Sequence, residues 1–170
     1  MKLTDYTDYS LRVLLYTAVH PDTLVTVQQI ADTFNIPKNH LIKIVQHLGQ
    51  TGFLHTVRGR AGGIRLGKPA RDIVIGDVIR ATEPDFKMVQ CFRDGGQTHA
   101  GCPIQGVCAL QNVLGEALRA WFRVLDSVTL ADVVEQPALA RALGGTALVS
   151  LDALRAASPQ VKPVKPAELA

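Results

Sequence analysis

No run of apolar residues in this chain approaches the roughly 20 needed to cross a bilayer, so no membrane partner is expected. Between Asp32 and Asp72 there is not one acidic residue. Cysteine is scarce: Cys91, Cys102 and Cys108 are the only three, and all lie in one glycine-bearing stretch. An odd number cannot close into a complete disulfide framework. Three cysteines gathered in a polar loop are also poor core residues. No Ser/His/Asp set and no pair of carboxylates stands out, so the chain reads as a non-enzyme.

What is present describes a folded protein. Apolar residues make up 47% of the 170 and charged residues 19%, a balance that favours a packed core over disorder. The opening Met1-Lys2-Leu3-Thr4-Asp5-Tyr6 meets an acid at once and holds no apolar stretch, so no secretory signal is expected. The expected location is a reducing cytoplasm, where clustered cysteines bind metal more often than they bridge.

The charge is strongly segregated. Lys38, Lys43, Arg58, Arg60, Arg65, Lys68 and Arg71 place seven of the 18 cations in the acid-free stretch, which holds none of the 15 acids. His40, His47 and His55 lie in the same window. A solvated face interleaves both signs, whereas a one-sign block within a foldable segment marks a surface facing a polyanion. Nucleic acid is the expected partner.

Hydrophobic spacing predicts mostly helix with a small β-hairpin. Leu3, Tyr6, Leu11, Leu14, Leu15 and Ala18 recur at helical intervals over residues 3–19, with Thr7 or Asp8 able to cap a later start. A second helix is expected over Val27 to Phe34, and a third from Pro37, at its first turn, to about Gln50. Two helices joined by the tight Asn35-Ile36-Pro37 turn make a helix-turn-helix. The third helix would turn Lys38, Asn39, His40, Lys43, Gln46 and His47 outward, donors and acceptors suited to phosphates and base edges. Gln28 on the second helix joins that set.

After Gly52 the period changes to that of strands, Phe53 to Val57 and Gly63 to Leu66, around the tip Arg58-Gly59-Arg60-Ala61-Gly62. A basic hairpin beside a recognition helix is a winged helix. Its expected DNA contacts are Arg58, Arg60, Gly62 and Arg65, with a tip arginine able to enter a minor groove. Gly62 to Lys68 also has the spacing of a phosphate-cradling loop. Pro69 stands where a Ser or Thr would bind magnesium, however, and no strand-then-helix context surrounds it. Nucleotide binding is rejected there.

A short helix over Ile73 to Thr82 completes an expected DNA-binding domain at residues 1–84. A loop at 85–108 carries the cysteines, and a long helix with the short one after it fills 109–135. Leu110, Leu114, Leu118, Trp121 and Leu125 form an apolar stripe broader than a small domain requires. The long helix is therefore expected to pair with its copy in a homodimer. A two-fold dimer suits a pseudo-palindromic operator in double-stranded DNA, with recognition helices about 34 Å apart. Residues 136–170, ending in alternating Lys and Pro, are expected to be a mobile extension.

Three thiols leave one ligand to be supplied from elsewhere. Three thiolates plus one further donor suit a soft metal, zinc among the candidates. His99, three residues before Cys102, is one candidate for the missing ligand.

Leu3-Thr4-Asp5-Tyr6-Thr7-Asp8-Tyr9, Lys38-Asn39-His40-Leu41-Ile42-Lys43, the wing from Val57 to Pro69, and Ile75-Gly76-Asp77-Val78 resemble the dimeric winged-helix regulators that include NsrR and IscR. The resemblance covers about residues 1–135. Asn39-His40-Leu41, Arg80-Ala81-Thr82-Glu83-Pro84 and Tyr9 after Asp8 are most similar to its nitric-oxide-sensing repressor branch. The resemblance implies a bacterial cytoplasmic repressor released from DNA by nitric oxide. It also implies an iron–sulfur cluster, [4Fe-4S] favoured over [2Fe-2S], on Cys91, Cys102 and Cys108. It further implies a fourth ligand from Asp8 of the partner subunit. The other branch uses a histidine three residues after the last cysteine, where this chain has Gln111. The ten residues between Cys91 and Cys102 exceed the compact spacing usual in the family. An iron–sulfur-status or redox-responsive regulator, or a zinc-stabilised winged helix, remain the alternatives.

Overall fold

The computed structural model describes residues 2–89, 103–104 and 107–145. Helix α1 (Asp5–Ala18) is the hub, packing against α3, α4, α6 and the wing. Its cap is Thr4, whose hydroxyl accepts from the Thr7 amide at 3.3 Å, so neither Thr7 nor Asp8 begins the helix. Thr7 is instead fully buried. Its hydroxyl donates to Thr82 at 2.9 Å, and the Thr82 hydroxyl donates to the Val78 carbonyl at 2.9 Å. Buried hydroxyls satisfied in this way carry no desolvation penalty.

Helix α2 (Val27–Phe34) starts in a reciprocal capping box between Thr26 and Gln29. It stops at Asn35, whose φ of 52° is left-handed and turns the chain at once into α3 (Lys38–Gln50). Strands β1 (Leu54–Val57) and β2 (Gly63–Leu66) pair antiparallel, His55 opposite Arg65. Val25 adds a two-bond bridge to Ile64, stitching the wing to the chain before α2. A 3₁₀ turn, Ala70–Asp72, leads into α4 (Ile75–Thr82). Then follow α5 (Ala109–Asp126), α6 (Leu130–Val134) and α7 (Pro137–Ala142).

One apolar core joins α1, α2, α3, the wing and α6 through Leu14, Ile30, Leu41, Ile44, Leu48, Ile64 and Leu130, each 2% exposed or less. Burying such side chains contributes on the order of 1.5–3 kcal/mol apiece. Mostly α with a β-hairpin wing is therefore the observed architecture. The C-terminal boundary moves, because α7 is a packed helix inside the stretch expected to be mobile. Ala140 is buried and the Gly145 amide donates to its carbonyl at 2.9 Å. The remainder of that extension, 146–170, lies outside the described residues.

Long helix α5 differs from every other long element in having no buried residue. Arg80 fastens it to α4 with two 2.7 Å hydrogen bonds to Asp126 while its guanidinium lies 4.3 Å over the Phe122 ring. Gly76 makes this possible: a Cβ there would run into the Asp126 carboxylate.

Candidate nucleic-acid interface and cysteine segment

Helix α3 has Leu41, Ile44, Val45 and Leu48 buried, which fixes the opposite face toward solvent. Lys38, Asn39, His40, Lys43 and Gln46 are exposed there. The expected outward face is present, with two qualifications from packing. His47 is half-buried, its Nδ1 sharing a 2.9 Å hydrogen bond with the Tyr6 hydroxyl. His40 stacks on Tyr9 with ring centroids 6.4 Å apart. Burial raises the Tyr6 phenol above its ordinary value, so the hydroxyl keeps its proton at neutral pH. Gln28 is exposed on α2 but its amide donates to Asp32 at 2.8 Å.

The wing tip bends through Gly59, whose φ of 117° suits glycine. Gly62 is tightly enclosed: a Cβ would strike the Val57 carbonyl, and its amide donates to the Gly59 carbonyl at 3.0 Å. Gly62 thus shapes the tip. Arg58, Arg60 and Arg65 are exposed, and among the described residues none meets a carboxylate. Lys68 lies 5.0 Å over the Phe53 ring. The described ion pairs involve acids outside the stretch from α3 to the wing, on α1, α4, α5 and at Asp85. That stretch therefore keeps its full positive field.

Of the four expected ligands, Cys91 and Cys102 lie outside the described residues, as does the rival His99. Cys108 is a half-buried thiol at the N-cap position of α5, its side chain making no cap hydrogen bond. Asp8 lies on the first turns of α1, half-exposed, with its carboxylate 2.9 Å from both Arg12 Nε and Nη2. Among the described residues no three potential ligands converge. The segment's root is nonetheless fixed. Glu83, at the end of α4, accepts from the Thr4 amide at 2.7 Å and its hydroxyl at 3.2 Å. The helix that bears Asp8 is thus clamped to the point where the cysteine segment departs.

On α5 the expected pairing face divides. Trp121 turns toward Phe86 and Phe122, with centroids at 6.3 and 4.9 Å. Leu118 and Trp121 line an apolar pocket with Leu3 and Met88, while Leu114 and Leu125 are half-buried. Leu110, Val113 and Val124 remain 61–64% exposed, so the open apolar stripe is rotated from the expected one. Periodicity puts Tyr6 on the inner face of α1 without revealing its bond to His47, and it singles out neither Tyr9 nor Glu83, because their partners are far away in the chain.

Residues 3–136 match the Rrf2 family, described as iron-dependent transcriptional regulators. The chain is 53% identical over 136 residues to the HTH-type transcriptional regulator NsrR of Bacillus subtilis, covering 79% of this chain and 91% of that one. Identity to NsrR of Bacillus licheniformis is 50% over 135 residues, covering 79% and 92%. Among solved structures, the global cysteine regulator CymR of B. subtilis aligns with a TM-score of 0.63 at 26% identity, covering 78% of this chain and 95% of that one. IscR of T. potens aligns with a TM-score of 0.62 at 25% identity, covering 78% and 85%.

Proposed function

The chain belongs to the Rrf2 family of transcriptional regulators, and from that premise we propose that it is a DNA-binding repressor whose iron–sulfur cluster senses nitric oxide. The observation that carries the DNA reading is the unneutralised surface of α3 and the wing, exposed and facing no acid among the described residues. Lys38, Asn39, His40 and Lys43 would meet the major groove, with Gln28 and His47 at its edges. Arg58, Arg60 and Arg65 would meet phosphates or an adjacent minor groove, on the tip that Gly62 shapes.

Cys91, Cys102 and Cys108 would hold the cluster, with Asp8 of the partner subunit as fourth ligand. The donor set fits in kind: thiolates are the usual ligands of such clusters, normally four of them, so three leave one position for another donor. When bound, such a cluster would supply iron open to nitric oxide, with the Asp8 carboxylate a harder donor to it than the three thiolates. [4Fe-4S] is favoured over [2Fe-2S]. The exposed stripe of Leu110, Val113 and Val124, beside Leu114, Leu118, Trp121 and Leu125, would pair two copies about a two-fold axis, matching a pseudo-palindromic operator.

The chain's own part in the response runs through α1. Asp8 has two competing uses, as a ligand and as the partner of Arg12. A change between them acts on a helix whose neighbouring residues Tyr6 and Tyr9 hold His47 and His40 of α3. A coupling of about 1–3 kcal/mol between the two sites would shift DNA affinity from several-fold to about a hundredfold.

Anaerobic purification tests this reading. A brown protein whose absorbance changes with nitric oxide, and whose duplex binding falls in parallel, is the expected result. Colourless protein with bound zinc, or duplex binding indifferent to nitric oxide, overturns the sensor. An Asp8→Ala variant with unchanged absorbance and response removes Asp8 as ligand.

A further inference from the structure

The outward face of α3 carries one apolar side chain. Ile42 is 48% exposed, and the core does not need it, since Leu41, Ile44, Val45 and Leu48 already face inward. It stands amid polar groups, with Lys38 and Asn39 a turn before it and Gln46 a turn after. It also opens onto a groove between α2, α3 and the wing that reaches Val27, Gln50, Thr56 and Arg58.

A β-branched side chain in a helix is nearly confined to one χ1 rotamer, so Ile42 is held out in a fixed direction at little further entropic cost. The surface it faces, on the DNA-binding reading, offers apolar matter at one place. In the major groove only the C5-methyl of thymine is apolar, and a glutamine amide matches the N6 and N7 edge of adenine. We infer that α3 reads A·T pairs, with Ile42 packed on a thymine methyl and Gln46 hydrogen-bonded to an adenine. Duplex DNA is the occupant because the surrounding face is cationic and has no acid between Asp32 and Asp72. The inference rests on the DNA-binding reading and adds its base preference.

The experiment selects duplexes from a random pool with the wild-type dimer. Thymines of the selected half-site are then replaced one at a time by uracil, which lacks only the methyl. One thymine per half-site is expected to matter, its replacement weakening wild-type binding about three- to tenfold. Ile42→Ala should bind the thymine duplex correspondingly more weakly and be indifferent to that uracil, with unchanged affinity for unrelated duplex and an unchanged thermal melt. Gln46→Ala should relax the adjacent adenine preference. Selective binding in which no uracil discriminates, or in which Ile42→Ala discriminates as wild type does, overturns this inference alone. A wild-type protein that selects no duplex overturns the DNA-binding reading as well.

Discussion

The Tyr6 hydroxyl lies 2.9 Å from Nδ1 of His47, joining the helix that bears Asp8 to the proposed recognition helix. Tyr9 stacks on His40 one helical step away. Two aromatic contacts thus bracket Asp8 and reach both ends of the outward face of α3.

Replacing Tyr6 with Phe removes the bond and keeps the ring, which lies 5.8 Å from that of His47. Stability should fall by about 0.5–1.5 kcal/mol, the net worth of one such bond. DNA affinity should fall while its salt slope stays the same, since every cation facing a phosphate is kept. A denaturant melt and a salt titration of binding check both; no change in either would free α3 from α1.

The wing arginines should behave differently. Arg58→Gln or Arg60→Gln is expected to weaken binding to all duplexes and to reduce the salt slope by about 0.9 for each phosphate no longer neutralised. A weakened sequence preference at constant slope would assign the side chain to groove reading instead.

A methyl at position 76 would push the Asp126 carboxylate off Arg80. Both partners are exposed, so Gly76→Ala should destabilise the fold by at most about 1 kcal/mol, the worth of the displaced pair. Most of that loss should vanish in the Gly76→Ala, Asp126→Ala double variant, a non-additivity read from thermal melts.

The same carboxylate makes stability depend on pH. The Arg80 hydrogen bond, more than its charge, holds Asp126 below the usual carboxylate range. A group depressed in the folded state contributes above its ordinary value and loses that contribution as pH falls through the lowered one. Thermal melts of wild type should therefore decline on acidification below about pH 4, and Asp126→Asn should flatten that decline. Both groups are exposed, so the effect is small and salt-sensitive. Glu116, also lowered through its hydrogen bond with Arg119, should be replaced by Gln in both backgrounds.

A charge on the open stripe of α5 should separate the proposed dimer. Val113→Glu and Val124→Glu are expected to yield monomers in sedimentation with an intact helical spectrum, because both side chains are largely exposed in the protomer. Dimers that persist would place the interface elsewhere.

Much of this architecture is legible from local pattern. Helix α2 spans the expected Val27–Phe34, and α5 begins right after Cys108. Amphipathic spacing, caps and the glycine-bearing wing are read over a few residues, and nothing distant overrides them. The start of α1, open in the sequence between residue 3 and a later cap at Thr7 or Asp8, falls at Thr4, which Glu83 holds from 79 residues on. Helix α7 escapes a reading by pattern because an alanine-rich run gives little periodic signal until Ala140 finds the core.

Residue type and near spacing are enough to specify the helix-turn-helix, the basic wing, the acid-free surface and the clustering of the cysteines. Which of those residues are free depends instead on tertiary packing. It tied His47 to Tyr6, turned Trp121 toward Phe86 and left Ile42 in the open. Hydrogen bonds and burial join positions far apart in the chain, and no period along it records them.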